Sequence, residues 1–155
     1  MSLREKFQDG LKQSMQARDD IATATLRLIS AALKDRDIAA RSKGNTDGID
    51  EDEILSMLQT MIKQRKESIK MYEQGGRPEL AAREAQEIDV IKRFLPAQIT
   101  GDQLSQTIDQ IIQSEAASSI KDMGKVMAVL RGQYAGQMDF GQASAIVKQK
   151  LVENA

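Results

Sequence analysis

Pro78 and Pro96 are the only two prolines of this 155-residue chain, and their positions mark where helices begin and end. Proline lacks an amide donor and clashes with the preceding turn, so it is tolerated at the start of a helix or just past its end, not in its interior. Both prolines stand at such places. Gly75-Gly76 stops one periodic segment and Pro78 opens the next, while Pro96 follows the last apolar residues of that next segment, Phe94-Leu95.

The apolar residues recur at helical spacing. Ser2 with Glu5 reads as a capping box, and Leu3, Phe7, Leu11 and Met15 form one stripe that ends near Arg18. Asp19 or Asp20 caps a second helix whose buried face reads Ile21, Thr25, Leu28, Ile29 and Ala32 and fades near Ala40. Residues 41–49 contain Gly44, Asn45 and Gly48 and read as a loop. Asp50 with Glu53 opens a third helix with the stripe Ile54, Leu58, Met61, Ile62, Ile69 and Tyr72. A tight hairpin at Gly75-Gly76 leads to a fourth, carrying Leu80, Ile88, Ile91 and Leu95.

Beyond Pro96 the predicted helices are shorter. Thr100 with Gln103 caps one (Leu104, Ile108, Ile111, Ile112), and Ser119 with Asp122 caps a second (Ile120, Met123, Met127, Leu130). Asp139 with Gln142 caps a third (Phe140, Ala143, Val147, Leu151). This change of style places a domain boundary at 96–101, giving domains 1–96 and 97–155. Aromatics at 3%, no Trp and 8 Met agree with helices packed through aliphatic side chains, so the fold class is all-α.

The chain contains neither His nor Cys, which removes disulfides, thiolate nucleophiles, imidazole bases and the usual zinc sites. No catalytic residue, cofactor or metal is expected. The run Asp50-Glu51-Asp52-Glu53 lacks the ligand alternation, the Gly and the distant Glu of a calcium loop. Ser118-Ser119-Ile120-Lys121 has the Ser-x-x-Lys spacing of some acyl-transfer enzymes without their companion motifs, and capping accounts for its serines. The N-terminal segment has no sustained apolar run, so neither a secretory signal nor a membrane span is expected, and the cytoplasm is the default location.

Charge is even-handed, with a formal net charge of −1. A chain so balanced lacks the global basic footprint of an independent nucleic-acid binder, so any RNA contact must be local. Lys63, Lys66 and Lys70 share a face that Glu67 and Glu73 interrupt, which reads as solvated surface. Lys121 and Lys125 are four apart, opposite an apolar stripe and beside Gly124. A mid-helix glycine costs roughly 0.5–1 kcal/mol against alanine, which suggests close approach of a helix or an anionic ligand to its backbone. Lys148 and Lys150 extend this candidate nucleic-acid-binding set. Arg65 and Glu84 each fall mid-stripe on the third and fourth helices, at similar distances from the hairpin turn, and read as a partly buried ion pair or else a polar ligand site.

Leu26-Arg27, Lys63-Gln64-Arg65, Gly76-Arg77-Pro78, Phe94-Leu95-Pro96, the Lys121–Met127 segment and Gly136-Gln137-Met138-Asp139 together closely resemble the YqeY family. The resemblance covers essentially the whole chain. It implies an N-terminal four-helix bundle-like domain followed by a small three-helix domain, similar to the tail of the B subunit of glutamine-dependent aspartyl/glutamyl-tRNA amidotransferase. In that complex the tail helps hold misacylated tRNA, while glutamine hydrolysis and ATP-dependent activation are carried elsewhere. The implied function is a tRNA-associated accessory or binding protein, with tRNA or a tRNA-charging amidotransferase assembly as partner. Alternatives are a component with carbon-nitrogen ligase activity using glutamine as amido-N-donor, and a helical adaptor for another protein. Gln137 stands where such tails often have a basic residue.

Overall fold

Residues 1–153 are described by a computed structural model, and among them every regular element is helical. By their internal packing, residues Met1–Leu95 form one unit and Pro96–Ala155 another.

In the first unit, α1 (Leu3–Gln16) starts at the Ser2–Glu5 capping box, with both halves formed. Its first amide also donates to the Glu51 carboxylate, at 3.2 Å to Oε2, so the acidic run at 50–53 secures helix ends. Asp19 caps α2 (Asp20–Ser42) by accepting from the Ala22 amide, and Asp50 caps α3 (Glu51–Gln74) by accepting from Glu53. Gly76, at φ 71°, adopts the left-handed conformation that reverses the chain, and Pro78 is the first residue of α4 (Pro78–Lys92). Helices α3 and α4 pack as a hairpin, and α2 packs on α1, α3 and α4. Phe7 meets Phe94 edge-on, with centroids 5.0 Å apart. Gly10 makes room for this pair: a Cβ there would lie 3.2 Å from the Phe94 ring.

In two stripes one expected residue is exposed. The buried residues of α2 are Ala22, Thr25, Leu26, Ile29 and Leu33, while Leu28 is exposed. This helix has apolar residues on two faces, and periodicity does not say which one the core takes. Met15 of α1 is likewise exposed, in the last turn of a helix that ends at Gln16. The loop is shorter than expected because α2 runs on to Ser42. Its Asn45 amide donates to the Gly48 carbonyl. Arg4 reaches across to Asp37 by two bonds of 2.8 and 2.9 Å and donates to the Ile49 carbonyl, while the Ile49 amide donates to Asp37.

In the second unit, α5 (Gly101–Ser114) buries Leu104, Thr107, Ile108, Ile111 and Ile112. No bond from the Thr100 side chain caps it, so the box expected there is not formed. A 3-10 turn (Ile120–Asp122), α6 (Met123–Gln133) and α7 (Phe140–Glu153) follow, and α5, α6 and α7 pack mutually. Asp139 caps α7 by accepting from the Gly141 and Gln142 amides. The entry segment is fastened to the loop before α7: the Ile99 amide donates to the Gln137 carbonyl at 2.7 Å, and Gln98 Nε2 donates to the Gly136 carbonyl.

Candidate nucleic-acid interface

The Asp122 carboxylate reaches back to accept from the amides of Ser118 and Ser119, at 2.9 and 3.3 Å. These two bonds, and then the field of Lys125, hold it below the usual carboxylate range. The same bonds tighten residues 120–122 into a 3-10 turn before α6 begins. Gly124 is therefore the second residue of α6 and not a mid-helix residue. The 3-10 turn runs directly into α6, with the Met123 amide donating to the Ile120 carbonyl. A Cβ on Gly124 would meet nothing within 4 Å, so no neighbouring helix explains it. The Ser-x-x-Lys spacing is a helix start, with the Ser118 amide engaged in capping.

The tight turn also rotates the stripe. A 3-10 segment advances about 120° per residue against about 100° for an α-helix, so a phase projected from Ser119 drifts over three residues. Ile120, predicted in the stripe, is exposed, and Val126, Met127 and Leu130 are the buried residues of α6.

Lys121 and Lys125 are both exposed and flank the open backbone at Gly124, with the Asp122 carboxylate between them in sequence. The other two candidate lysines divide. Lys150 ion-pairs with Asp109 of α5 at 2.8 Å, with 22% of its side chain exposed, so its charge is committed to joining two helices. Lys148 is exposed. Around α7, whose buried residues are Ala143, Val147 and Leu151, Lys148 lies about 100° to one side of the stripe and Lys150 about 60° to the other. The 3-10 turn that carries Lys121 packs against α7. The local set is therefore Lys121, Gly124 and Lys125, with Lys148 on the adjoining helix and Lys150 engaged elsewhere.

The second predicted constellation is a cluster of four charges. Arg65 Nε donates to Glu87 at 3.0 Å and stands 4.0 Å from Glu84, and Arg83 approaches the other Glu87 oxygen at 3.3 Å. Glu84 is thus a contact at the outer limit, and Glu87, one turn further along, is the main partner. Side chains on a helix tilt toward its N-terminus, so Arg65 points away from the hairpin turn while Glu87 leans back toward it. Counting residues from the turn misses this tilt. Burial, and then the charge of Glu87, push the Glu84 carboxyl up, against the pull of Arg65 and Arg83. The side chains of Arg65, Glu84 and Glu87 are only 14%, 22% and 12% exposed, so the cluster is partly buried and internally paired, which is what a hairpin lock requires.

The cross-chain ties Arg4–Asp37–Ile49 and Gln98–Gly136 were not readable beforehand. They depend on carbonyls and amides brought together by the fold, which leave no spacing pattern in the sequence. Arg131 over the Phe140 ring, 5.9 Å from its centroid, is another such tie. Among the described residues there is no group of three or more Asp and Glu able to hold a metal ion, and no helix is long and apolar enough to cross a membrane.

The family model for Yqey-like proteins matches residues 4–151. A yeast protein from Lachancea thermotolerans, named altered inheritance of mitochondria protein 41, mitochondrial, is 28% identical over 149 residues, covering 92% of this chain and 75% of its own length. Proteins of the same name from Saccharomyces cerevisiae and Vanderwaltozyma polyspora are 33% and 34% identical over 85 residues, covering 55% of this chain and 44% of their own length. The chain thus spans less than half of these two relatives. Their names correct the expectation of a cytoplasmic location: it rested on the lack of a secretory signal or membrane span, which does not discriminate against an organelle, and these relatives are designated mitochondrial.

Proposed function

The chain belongs to the Yqey-like protein family, and from that premise we propose that it is a tRNA-associated accessory protein that contacts the RNA backbone through the start of α6. We read the four helices before Pro96 as a bundle that carries the second unit, and the second unit as a counterpart of the amidotransferase B-subunit tail. The observation that carries the reading is the open backbone at Gly124 between exposed Lys121 and Lys125. A phosphate approaching there meets two ammonium groups and no side chain in its path. Lys148 extends the attraction and Lys150 does not, being held by Asp109. The Asp122 carboxylate weakens it, so few phosphates are neutralised and the expected affinity is micromolar or poorer at physiological salt.

Fluorescence-anisotropy titration of unfractionated tRNA against the whole chain tests this. Lys121→Glu with Lys125→Glu is expected to abolish binding with no fall in melting temperature, because both side chains are exposed. Lys150→Ala should leave binding unchanged. Binding that survives the double charge reversal, or no binding even at low salt, defeats the proposal.

A further inference from the structure

One face of α2 carries a repeat whose first residue, Ile21, packs against the core, while Leu28, Ala31, Asp35 and Ile38 lie exposed. Ile21, Leu28 and Asp35 are seven apart, and Ala24, Ala31 and Ile38 fall between them at the alternating three- and four-residue spacing of a helix-pairing seam. Leu28 is 47% exposed and Ile38 51%. Ala31 is also exposed, and Ala24 is half-buried. The position just before each of Leu28, Asp35 and Ser42 is basic: Arg27, Lys34 and Arg41 form a row at sevenfold spacing along one flank. The flank on the other side, Thr25, Ala32 and Ala39, is neutral and turns toward the core, with Thr25 buried and Ala32 packed against the core.

We propose that this face of α2 docks an amphipathic helix of a different protein, one with acidic residues along the edge that meets Arg27, Lys34 and Arg41 and a basic residue opposite Asp35. The small residues Ala24 and Ala31 admit a partner helix closely, and Leu28 and Ile38 supply the apolar contacts. Charge decides against a second copy of this chain. In a parallel, in-register pair the two Asp35 carboxylates meet at the seam, and in an antiparallel pair the two basic rows face each other. It favours an acidic helix over RNA, because a phosphate backbone gains nothing from an apolar seam beside the cations. Arg27 and Lys34 form no ion pair with the described residues, and Arg41 acts on Asp37 only through its field, without a salt bridge. The surface lies in the first unit and stands or falls apart from the tRNA reading.

The test uses the whole chain and a synthetic peptide of about three heptads, with Leu and Ala on its seam, Glu on its flanks and one Lys placed to meet Asp35. A second peptide carries Lys in place of every flanking Glu. Binding followed by anisotropy is expected for the acidic peptide only. Leu28→Glu should weaken it at least tenfold, and Arg27→Glu with Lys34→Glu and Arg41→Glu should reverse the preference to the basic peptide. Thermal melts of both variants, expected to match the parent, exclude unfolding as the cause. Binding of neither peptide, equal binding of both, or indifference to Leu28→Glu overturns the proposal. A dimer of the free chain that Leu28→Glu dissociates overturns it in favour of self-association. Binding of tRNA that is lost on reversing the three cations but kept in Leu28→Glu overturns it in favour of RNA.

Discussion

Replacing Arg65 by alanine is expected to destabilise the protein by about 2–4 kcal/mol, because it strands two carboxylates in a partly buried site. Glu87 loses its 3.0 Å partner and Glu84 its nearest cation, leaving only Arg83, whose side chain is 45% exposed, to balance both. The loss has a pH signature. Glu84 already sits above its ordinary value of 4.5 through burial and the charge of Glu87, and Arg65 is a force holding it down. Removing Arg65 raises it further. A carboxyl raised on folding destabilises once ionised, so its cost is fully present above its folded pKa and fades as pH falls toward the unfolded value. The gap between parent and variant, measured by denaturant unfolding, should therefore narrow between neutral pH and about pH 4. Double-mutant cycles should give a larger coupling for Arg65 with Glu87 than with Glu84. Additive costs, or a gap that widens in acid, would refute the account.

That partner shift shows which part of the molecule the sequence displays. Helix starts were legible because capping is local: Ser2, Asp19, Asp50 and Asp139 bond to amides two or three residues away, and Pro78 needs only its own ring. Stripes were legible where a helix has one apolar face, as in α5, where Leu104, Ile108, Ile111 and Ile112 are all buried. They failed where it has two. Leu28 of α2 is as apolar as Leu26 and Leu33, and only the packing of α1, α3 and α4 on one side decides between them. The helix start at the candidate interface was misplaced for a related reason, since a three-residue 3-10 turn puts Gly124 near a helix start and not in a helix interior. Lys150 looked like a free cation, and its bond to Asp109 spans two helices that periodicity treats separately. Local chemistry is written along the chain, whereas the choice between equivalent faces and distant partners is made only when the helices meet.

The loop after α2 offers the sharpest case of a distant partner, and Gly48→Ala is expected to cost about 2–3 kcal/mol there. Gly48 has φ 86°, and a Cβ would lie 2.7 Å from Asp37 Oδ1 and 2.8 Å from Arg4 Nη2. Neither group can step aside freely, because each also bonds to Ile49, Asp37 through the amide and Arg4 through the carbonyl. Gly44 supplies the control: its φ is 90°, but a Cβ there meets nothing within 4 Å, so Gly44→Ala should cost only the backbone strain of about 1 kcal/mol. The clamp also sets an acid limit. The bonds from Arg4, and then the Ile49 amide and the fields of Arg4 and Arg41, lower the Asp37 carboxyl from 3.8 to about 2. A carboxylate depressed on folding stabilises above its unfolded value, and that contribution is lost as pH falls through the folded one. Asp37→Asn keeps the shape and removes the charge, so it should cost on the order of 1–2 kcal/mol at neutral pH, after allowance for solvent screening, and almost nothing near pH 2. Equal costs for Gly44→Ala and Gly48→Ala, or an Asp37→Asn penalty that persists undiminished in acid, would show that the clamp does not hold the loop.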